Sequence, residues 1–320
     1  MRGRNYTKRQ LSTQRHSGGT FLFHLGALFT VSVWGFSFIS TSVLLNCGLG
    51  PVVIYVLRFL LAYIILFLID HRKLAANNWR DELVLLLCGV TSGSIYYITE
   101  NSALEYTTAA NVALITALAP LLTTMLVGFL YRNERPSCGT WIGSIIAFVG
   151  VGCIIINDDF DSSQSISNII GDLLALASAL SWAIYSILLR RISASYSTTF
   201  ITRKTLFYGV LTALPFLLIE PELPTLDMLL QTKVLSNLIF LGVVASLMCF
   251  FLWSMSVKRL GAITTSNYLY FSPIITIFAA WLILGDNITL LAFIGCGLVI
   301  GGLILGDYLT EHINRANGRR

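Results

Sequence analysis

Residues 89–150 read GVTSGSIYYITENSALEYTTAANVALITALAPLLTTMLVGFLYRNERPSCGTWIGSIIAFVG, and a divergent copy of this stretch returns about 150 residues later. At an offset of 153, Gly89-Val90 meets Gly242-Val243, Ala109 meets Ala262, Pro120 meets Pro273 and Thr123 meets Thr276. One residue then drops out. At an offset of 152, Glu134 meets Asp286, Ile142 meets Ile294, Gly143 meets Gly295 and Gly150 meets Gly302. No single match carries weight; their unbroken order does. A repeat of this length marks one structural half that has been duplicated.

Composition sets the medium. Of 320 residues, 55% are hydrophobic and 12% charged, with a mean hydropathy of +0.76. Soluble domains carry about 25% charged residues, so this supply cannot coat a surface in water. The chain is an all-α integral membrane protein. Its net charge of +5 is modest, and no basic patch with interleaved aromatics points to nucleic acid. The six cysteines (47, 88, 138, 153, 249 and 296) are scattered and form no Cys-x-x-Cys pair, which fits small buried apolar residues. The histidines at 16, 24, 71 and 312 lack metal-ligand spacing. Neither a metal nor a cofactor is expected. Residues 1–20 are polar and basic and lead into an apolar run too long for a secretory signal, with no small-residue cleavage site; an uncleaved first helix is expected.

A helix crossing the hydrocarbon core needs about 20 mostly apolar residues. Ten runs approach that length: Leu25–Leu45, Val52–Ile69, Leu83–Tyr97, Ala109–Tyr131 and Cys138–Ile156, then Ile169–Leu189, Phe200–Ile219, Val234–Val257, Ala262–Leu284 and Ile288–Leu305. Lys and Arg placement orients them. The amino-terminal tail, alternate loops and the carboxyl tail together hold 19 of the 21 basic residues. The opposite loops hold Lys233 and collect Asp158, Asp159, Asp161, Glu220, Glu222 and Asp227. Both tails are therefore expected in the cytoplasm. The chain divides into a basic tail (1–24), a first five-helix repeat (25–156), an acidic, Ser-rich outer linker (157–168), a second repeat (169–306) and a second tail (307–320). Five is odd, so the second copy enters the membrane inverted, the plan of many secondary transporters with a midplane site between repeats.

Several segments share a pattern: Trp34-Gly-Phe-Ser-Phe in the first span, Arg58-Phe-Leu-Leu-Ala in the second, Ala103-Leu-Glu-Tyr-Thr-Thr-Ala-Ala-Asn leading into the fourth, and Trp182-Ala-Ile-Tyr-Ser in the sixth. With Pro120, Pro273, and Glu134 and Asp286 before the last helix of each half, this order resembles the EamA-type transporters of the drug/metabolite transporter superfamily over about residues 25 to 306. The resemblance implies export or exchange of small metabolites such as amino acids.

Charges inside apolar runs mark function by default, because each costs roughly 2.5–3.5 kcal/mol deep in a membrane helix. Arg58 lies about 10 Å inside its span at 1.5 Å per residue, with Arg203 as its repeat counterpart. Glu100 is its expected partner at the outer mouth, with a gating or proton-coupling role. Trp253 takes the repeat position of Glu100 and would close the inner side. Polar and aromatic stripes at helical spacing give the substrate-pocket candidates: Trp34, Ser37 and Thr41; Tyr97; Thr108, Asn111 and Thr116; Ser178, Ser181, Trp182 and Tyr185; Asn267 and Tyr270. Interhelical bonding that merely holds the bundle competes with that reading. Pro120 and Pro273 are candidate hinges. Gly139-x-x-x-Gly143, Gly297-x-x-x-Gly301 and Gly302-x-x-x-Gly306 mark close helix approaches, one of which leaves room for a homodimer contact.

The expected function is a secondary carrier in a bacterial cytoplasmic membrane, taking a small-molecule substrate among membrane lipids. No Walker-type phosphate loop is present. A membrane-embedded enzyme would want a His/Asp cluster, a Ser/His pair or a metal site, and none is spelled out. The alternative is a flippase for a lipid-linked substrate.

Overall fold

The computed structural model describes residues 17–107, 109–131, 136–155, 165–218, 220, 223–284 and 290–316. These residues form ten main helical units, one further short helix and no strand. Helix α1 spans Ser17–Asn46, and Gly48, at φ +90°, turns the chain into α2, Pro51–Ile69. Proline opens α2, where its missing N–H costs nothing. Helix α3 runs Trp79–Tyr106, capped by Asn78, whose side chain accepts from the Asp81 amide. Helix α4 comes in two halves, α4a (Ala109–Thr116) and α4b (Ala119–Leu130), and α5 spans Cys138–Ile155.

The second half repeats this order. Helix α6 spans Ser165–Ser193, and α7, Thr198–Ala213, ends in a 3-10 turn, Leu214–Leu218. After a short helix at Leu226–Leu230 comes α8, Thr232–Leu260. Gly261, at φ +89°, starts α9, made of α9a (Ala262–Asn267), a 3-10 turn (Tyr268–Phe271) and α9b (Ser272–Leu284); α10 spans Leu290–Ala316.

Each of the ten expected runs falls on one unit. Six units are long and apolar enough to cross a membrane: α1, α2, α3, α6, α8 and the Phe293–Thr310 part of α10. The others are shorter or broken. Outward faces carry large apolar side chains, among them Phe129 at 84% and Leu218 at 89% exposure, which only a hydrocarbon medium tolerates. The protein is an integral, multi-pass membrane protein. The third run differs most from expectation: α3 extends to Tyr106 instead of stopping near Tyr97, because Thr99, Glu100 and Asn101 all find partners within the bundle. Glu134, Asp286, Thr108 and most of the acidic linker lie outside the described residues.

Packing obeys the duplication. Helix α1 packs on α8 as α6 packs on α3; α1 packs on α9b as α6 packs on α4b; α2 meets α8 as α7 meets α3. The pairs α2–α7 and α5–α10 join equivalent helices of the two halves. Irregularities repeat too. The α3 π-helical segment Val90–Ile95 maps at the offset of 153 into the π segment Phe240–Met248 of α8. The break between α4a and α4b maps onto the 3-10 turn of α9. Pro120 and Pro273 each sit in the first turn of the helix after the break, where proline is tolerated. The hinge candidates thus begin new helices instead of kinking continuous ones.

Candidate functional site: a cavity between the repeats

The π segments position the centre of the molecule. A π turn takes an extra residue and spoils the i→i−4 ladder, so its carbonyls become available to neighbours. The Ala245 carbonyl in α8 accepts from Trp34 Nε1 of α1 at 2.9 Å. In the mirrored place, the Thr91 carbonyl in α3 accepts from Ser181 Oγ of α6 at 2.7 Å. Arg58 Nε of α2 donates to Ser246 Oγ in the α8 π segment at 2.9 Å, and Ser94 in the α3 segment bonds the Gly209 carbonyl of α7 at 3.0 Å. Hydropathy could not have located these segments. Their sequence signal is the small-residue clusters Thr91-Ser-Gly-Ser94 and Gly242-Val-Val-Ala-Ser246.

An aromatic cluster packs above this frame. The Trp34 ring centroid is 5.1 Å from Trp182 and 5.0 Å from Trp253, and Trp182 lies 5.8 Å from Trp253. Tyr96 packs on Trp182 at 4.9 Å and Tyr97 on Tyr96 at the same distance. Beside the cluster is a narrow cavity of about 30 Å³, lined by Trp34, Ser37, Phe38, Tyr96, Tyr97, Glu100, Ala113, Thr116, Ala117, Ala119, Trp182, Leu269 and Ser272. That is room for two or three waters at most, since a water needs at least about 10–15 Å³. The cavity draws on both halves of the chain and includes residues from both helix breaks, α4 and α9.

Six sequence candidates therefore meet at one place: Trp34, Ser37, Tyr97, Glu100, Thr116 and Trp182. Tyr96, Phe38, Leu269 and Ser272 were not foreseen. Tyr96 donates its hydroxyl to Glu100 Oε1 at 2.6 Å, which the i, i+4 spacing could have suggested. Ser37 and Thr116 donate to carbonyls of their own helices, Trp34 and Val112, each at 2.8 Å, keeping their oxygen lone pairs for the cavity. Trp182 Nε1 is buried without a partner.

The remaining candidates lie elsewhere. Ser181 is committed to the Thr91 carbonyl. Tyr185 is fully buried behind Trp182, with ring centroids 5.1 Å apart. Tyr270 is buried in a separate cluster with Ala117, Ala147 and Val299. Asn267 lines a second cavity between α1, α9 and α10. Trp253 is fully buried under Trp34 and Trp182 and does not reach the cavity. The Asn111 side chain lies outside the described residues.

The expected Arg58–Glu100 ion pair does not form. Arg58 is 1% exposed; its guanidinium carbon lies 4.5 Å from the Tyr97 ring centroid, and Nη2 has no hydrogen-bond partner. The Tyr97 ring holds the cation away from the cavity, while Glu100 reaches it. Nor does Glu100 sit at a wet helix end. It is 7% exposed and six residues short of the α3 terminus. Arg203, the counterpart of Arg58, lies near the basic-loop end of α7, where it donates to the Asp70 and Lys73 carbonyls.

Among the described residues no group of three or more His, Cys, Asp or Glu could hold a metal ion. What the cavity offers is one carboxylate, hydroxyl oxygens, one free indole N–H and aromatic faces. That set offers hydrogen-bonding groups and aromatic faces of the kind found in sites for polar or amphipathic small molecules.

Known proteins are similar to this chain in sequence and in fold. An uncharacterized transporter of Archaeoglobus fulgidus is 25% identical over 279 residues, covering 86% of this chain and 95% of that protein. A probable amino-acid metabolite efflux pump of Escherichia coli (strain K12) is 25% identical over 293 residues, covering 88% and 93%. A probable terminal-alkyne amino-acid exporter of Streptantibioticus cattleyicolor is 24% identical and covers 71% and 73%. A solved crystal structure superposes with a TM-score of 0.73 at 19% identity, covering 92% of this chain and 99% of the other, a likeness of fold. The model of the EamA-like transporter family matches twice, over residues 21–156 and 169–306, one match for each half of the internal repeat: the chain belongs to the EamA-like transporter family.

Proposed function

We propose that the protein is a secondary transporter that exports or exchanges small amphipathic metabolites, amino acids among them, by alternating access around the central cavity. The observation that carries this reading is a buried carboxyl group, Glu100, facing a polar and aromatic cavity built from both halves of the repeat. Glu100 would receive the substrate's ammonium or hydroxyl donor, Trp182 Nε1 an acceptor, and the Trp34, Tyr96 and Tyr97 rings its apolar part. The narrowness of the cavity fits an occluded state that widens at the paired breaks of α4 and α9. All ten helices cross the cytoplasmic membrane in this reading, with both tails on the basic, cytoplasmic side.

A thermal-shift screen of the detergent-purified protein against amino acids, amines, organic acids, purines and lipid-linked sugars tests it. Ligand at a hundred times its dissociation constant stabilises the native state by about 2.7 kcal/mol. A water-soluble compound should raise the melting temperature of the wild type and not that of Trp182→Ala or Glu100→Gln. The same compound should show counterflow in proteoliposomes. Stabilisation by lipid-linked sugars alone would replace the carrier with a flippase.

A further inference from the structure

The second cavity, about 270 Å³ in volume, is larger than the central one and opens sideways between α1, α9 and α10. Its lining changes character with depth. At the basic-loop end lie His24, Thr264 and Asn267; Phe271 and Ile300 lie deeper, with Leu303 and Ile304 closing the α10 wall. From Thr264 to Phe271 the helix rises about 10 Å at 1.5 Å per residue. His24 Nδ1 and the Tyr268 hydroxyl bond at 2.7 Å across the polar end, and Asn267 Oδ1 has no hydrogen-bond partner. Ile300 and Ile304 are 44% and 66% exposed on a helix that faces hydrocarbon. Two cations, Lys258 and Arg259, end α8 at the same level, and the Arg259 guanidinium lies 5.6 Å from the ring of Phe23, next to His24.

We propose that this pocket binds an anionic phospholipid with a hydroxyl-bearing headgroup, drawn from the leaflet on the basic-loop side. Polar groups of α1 and α9 at the interface end, with Phe271 and Ile300 toward the midplane, match the direction in which a lipid of that leaflet lies. The unpaired Asn267 oxygen calls for a donor, which the headgroup hydroxyl supplies. Arg259 meets the phosphate, as basic residues beside membrane helices do, and one acyl chain packs between Phe271, Ile300, Leu303 and Ile304. The pocket wall is also the 3-10 turn of α9: Tyr268 and Phe271 face the lipid, while Leu269 and Ser272 line the central cavity. The lipid therefore braces the turn at which α9 bends.

The test uses the full chain in detergent with phosphatidylglycerol carrying a photoreactive acyl chain, read by native mass spectrometry and adduct mapping. Wild type should retain one more phosphatidylglycerol than phosphatidylcholine, with adducts within residues 268–271 or 300–304. Ile304→Trp, which fills the mouth from an exposed position, should lose that one lipid, and Arg259→Gln should reduce its retention several-fold. Phe129→Trp, on an exposed face of α4b, should change neither. Adducts confined to other helices, equal retention of the two lipids, or full retention in Ile304→Trp would overturn the proposal. Adduct mapping needs only the unaltered protein, so a misfolded variant does not blunt the test.

Discussion

Arg58 is a cation sealed inside an apolar bundle with one good acceptor, Ser246, and an aromatic face, Tyr97. Glu100 is a buried carboxyl group on the same helix as Tyr97, bonded to Tyr96. The two groups make no direct ion pair, so any stabilisation that one gives the other acts through the field between them. Removing one member of a buried pair leaves the second uncompensated, a loss of about 3–5 kcal/mol when the pair is direct and less across a ring. Arg58→Leu should therefore lower the melting temperature, and Glu100→Gln in the same protein should restore part of the loss, with a coupling on the order of 1 kcal/mol. Strictly additive losses in a thermal double-mutant cycle would show that the two charges do not sense each other. The tryptophans give a second contrast. Trp34→Phe strands the Ala245 carbonyl, a cost of about 1–3 kcal/mol, whereas Trp253→Phe removes an indole N–H that has no partner. Melting curves should rank Trp34→Phe as clearly the more damaging. Both charges were legible in the sequence because they interrupt apolar runs. Their separation was not, because which rings fill the space between two helices depends on packing that no one-dimensional pattern records.

Helices α5 and α10 show how elements, not single contacts, hold the two halves together. A Cβ at Gly143 would lie 2.6 Å from the Gly302 carbonyl and 2.7 Å from Gly306 Cα; one at Gly150 would lie 2.7 Å from the Gly295 carbonyl. These backbones are in contact and cannot yield as a side chain would. Gly297 and Gly301 face open space. Gly143→Val should thus lower stability severely, while Gly301→Ala should be neutral or raise it by up to about 1 kcal/mol through helix propensity. Thermal melts of the two variants decide it, and equal effects would refute the assigned faces. The Gly-x-x-x-Gly spacing in α5 was readable as a close approach. Its partner was not, since small-residue spacing is the same for a neighbour in the chain and for a second copy. The π segments of α3 and α8 were hidden more completely, because they keep the same apolar composition as the helix around them.

At the scale of the whole molecule, the polar ties between the two halves are densest, among the described residues, on the basic-loop side. Arg203 of α7 donates to the Asp70 and Lys73 carbonyls, and Lys204 donates to that of Leu74 while pairing with Glu82, which also accepts from Tyr208. Tyr196 donates to Asp81 at 2.7 Å and accepts from the Asn77 amide at 2.9 Å. All of these join the α2–α3 connection and the first turn of α3 in the first half to the α6–α7 region of the second. On the opposite side the described ties are fewer: the Val52 amide donates to Glu220 at 2.6 Å and Ser40 to Asn237 Oδ1 at 2.7 Å, linking the halves, and Asn101 holds the Pro51 carbonyl within the first. The duplication was legible, since repeat order is a property of the chain itself, and the family match falls once on each half. The latch was not, because Arg203 and Lys204 read as an interruption of a span until the loop that they grip is folded over them. An alternating-access carrier must break such a latch to open toward the basic side, so weakening it should shift the population that way. In a cysteine-free background with Ser37→Cys as reporter, adding Glu82→Gln should decrease labelling by an impermeant maleimide applied from the acidic-loop side. Labelling from the basic-loop side, in inverted vesicles, should rise in parallel, and a tenfold change in the ratio corresponds to about 1.4 kcal/mol. Labelling unchanged from both sides would mean that the network is a static brace and that closure of the basic side rests on the aromatic cluster of Trp34, Trp182 and Trp253 instead.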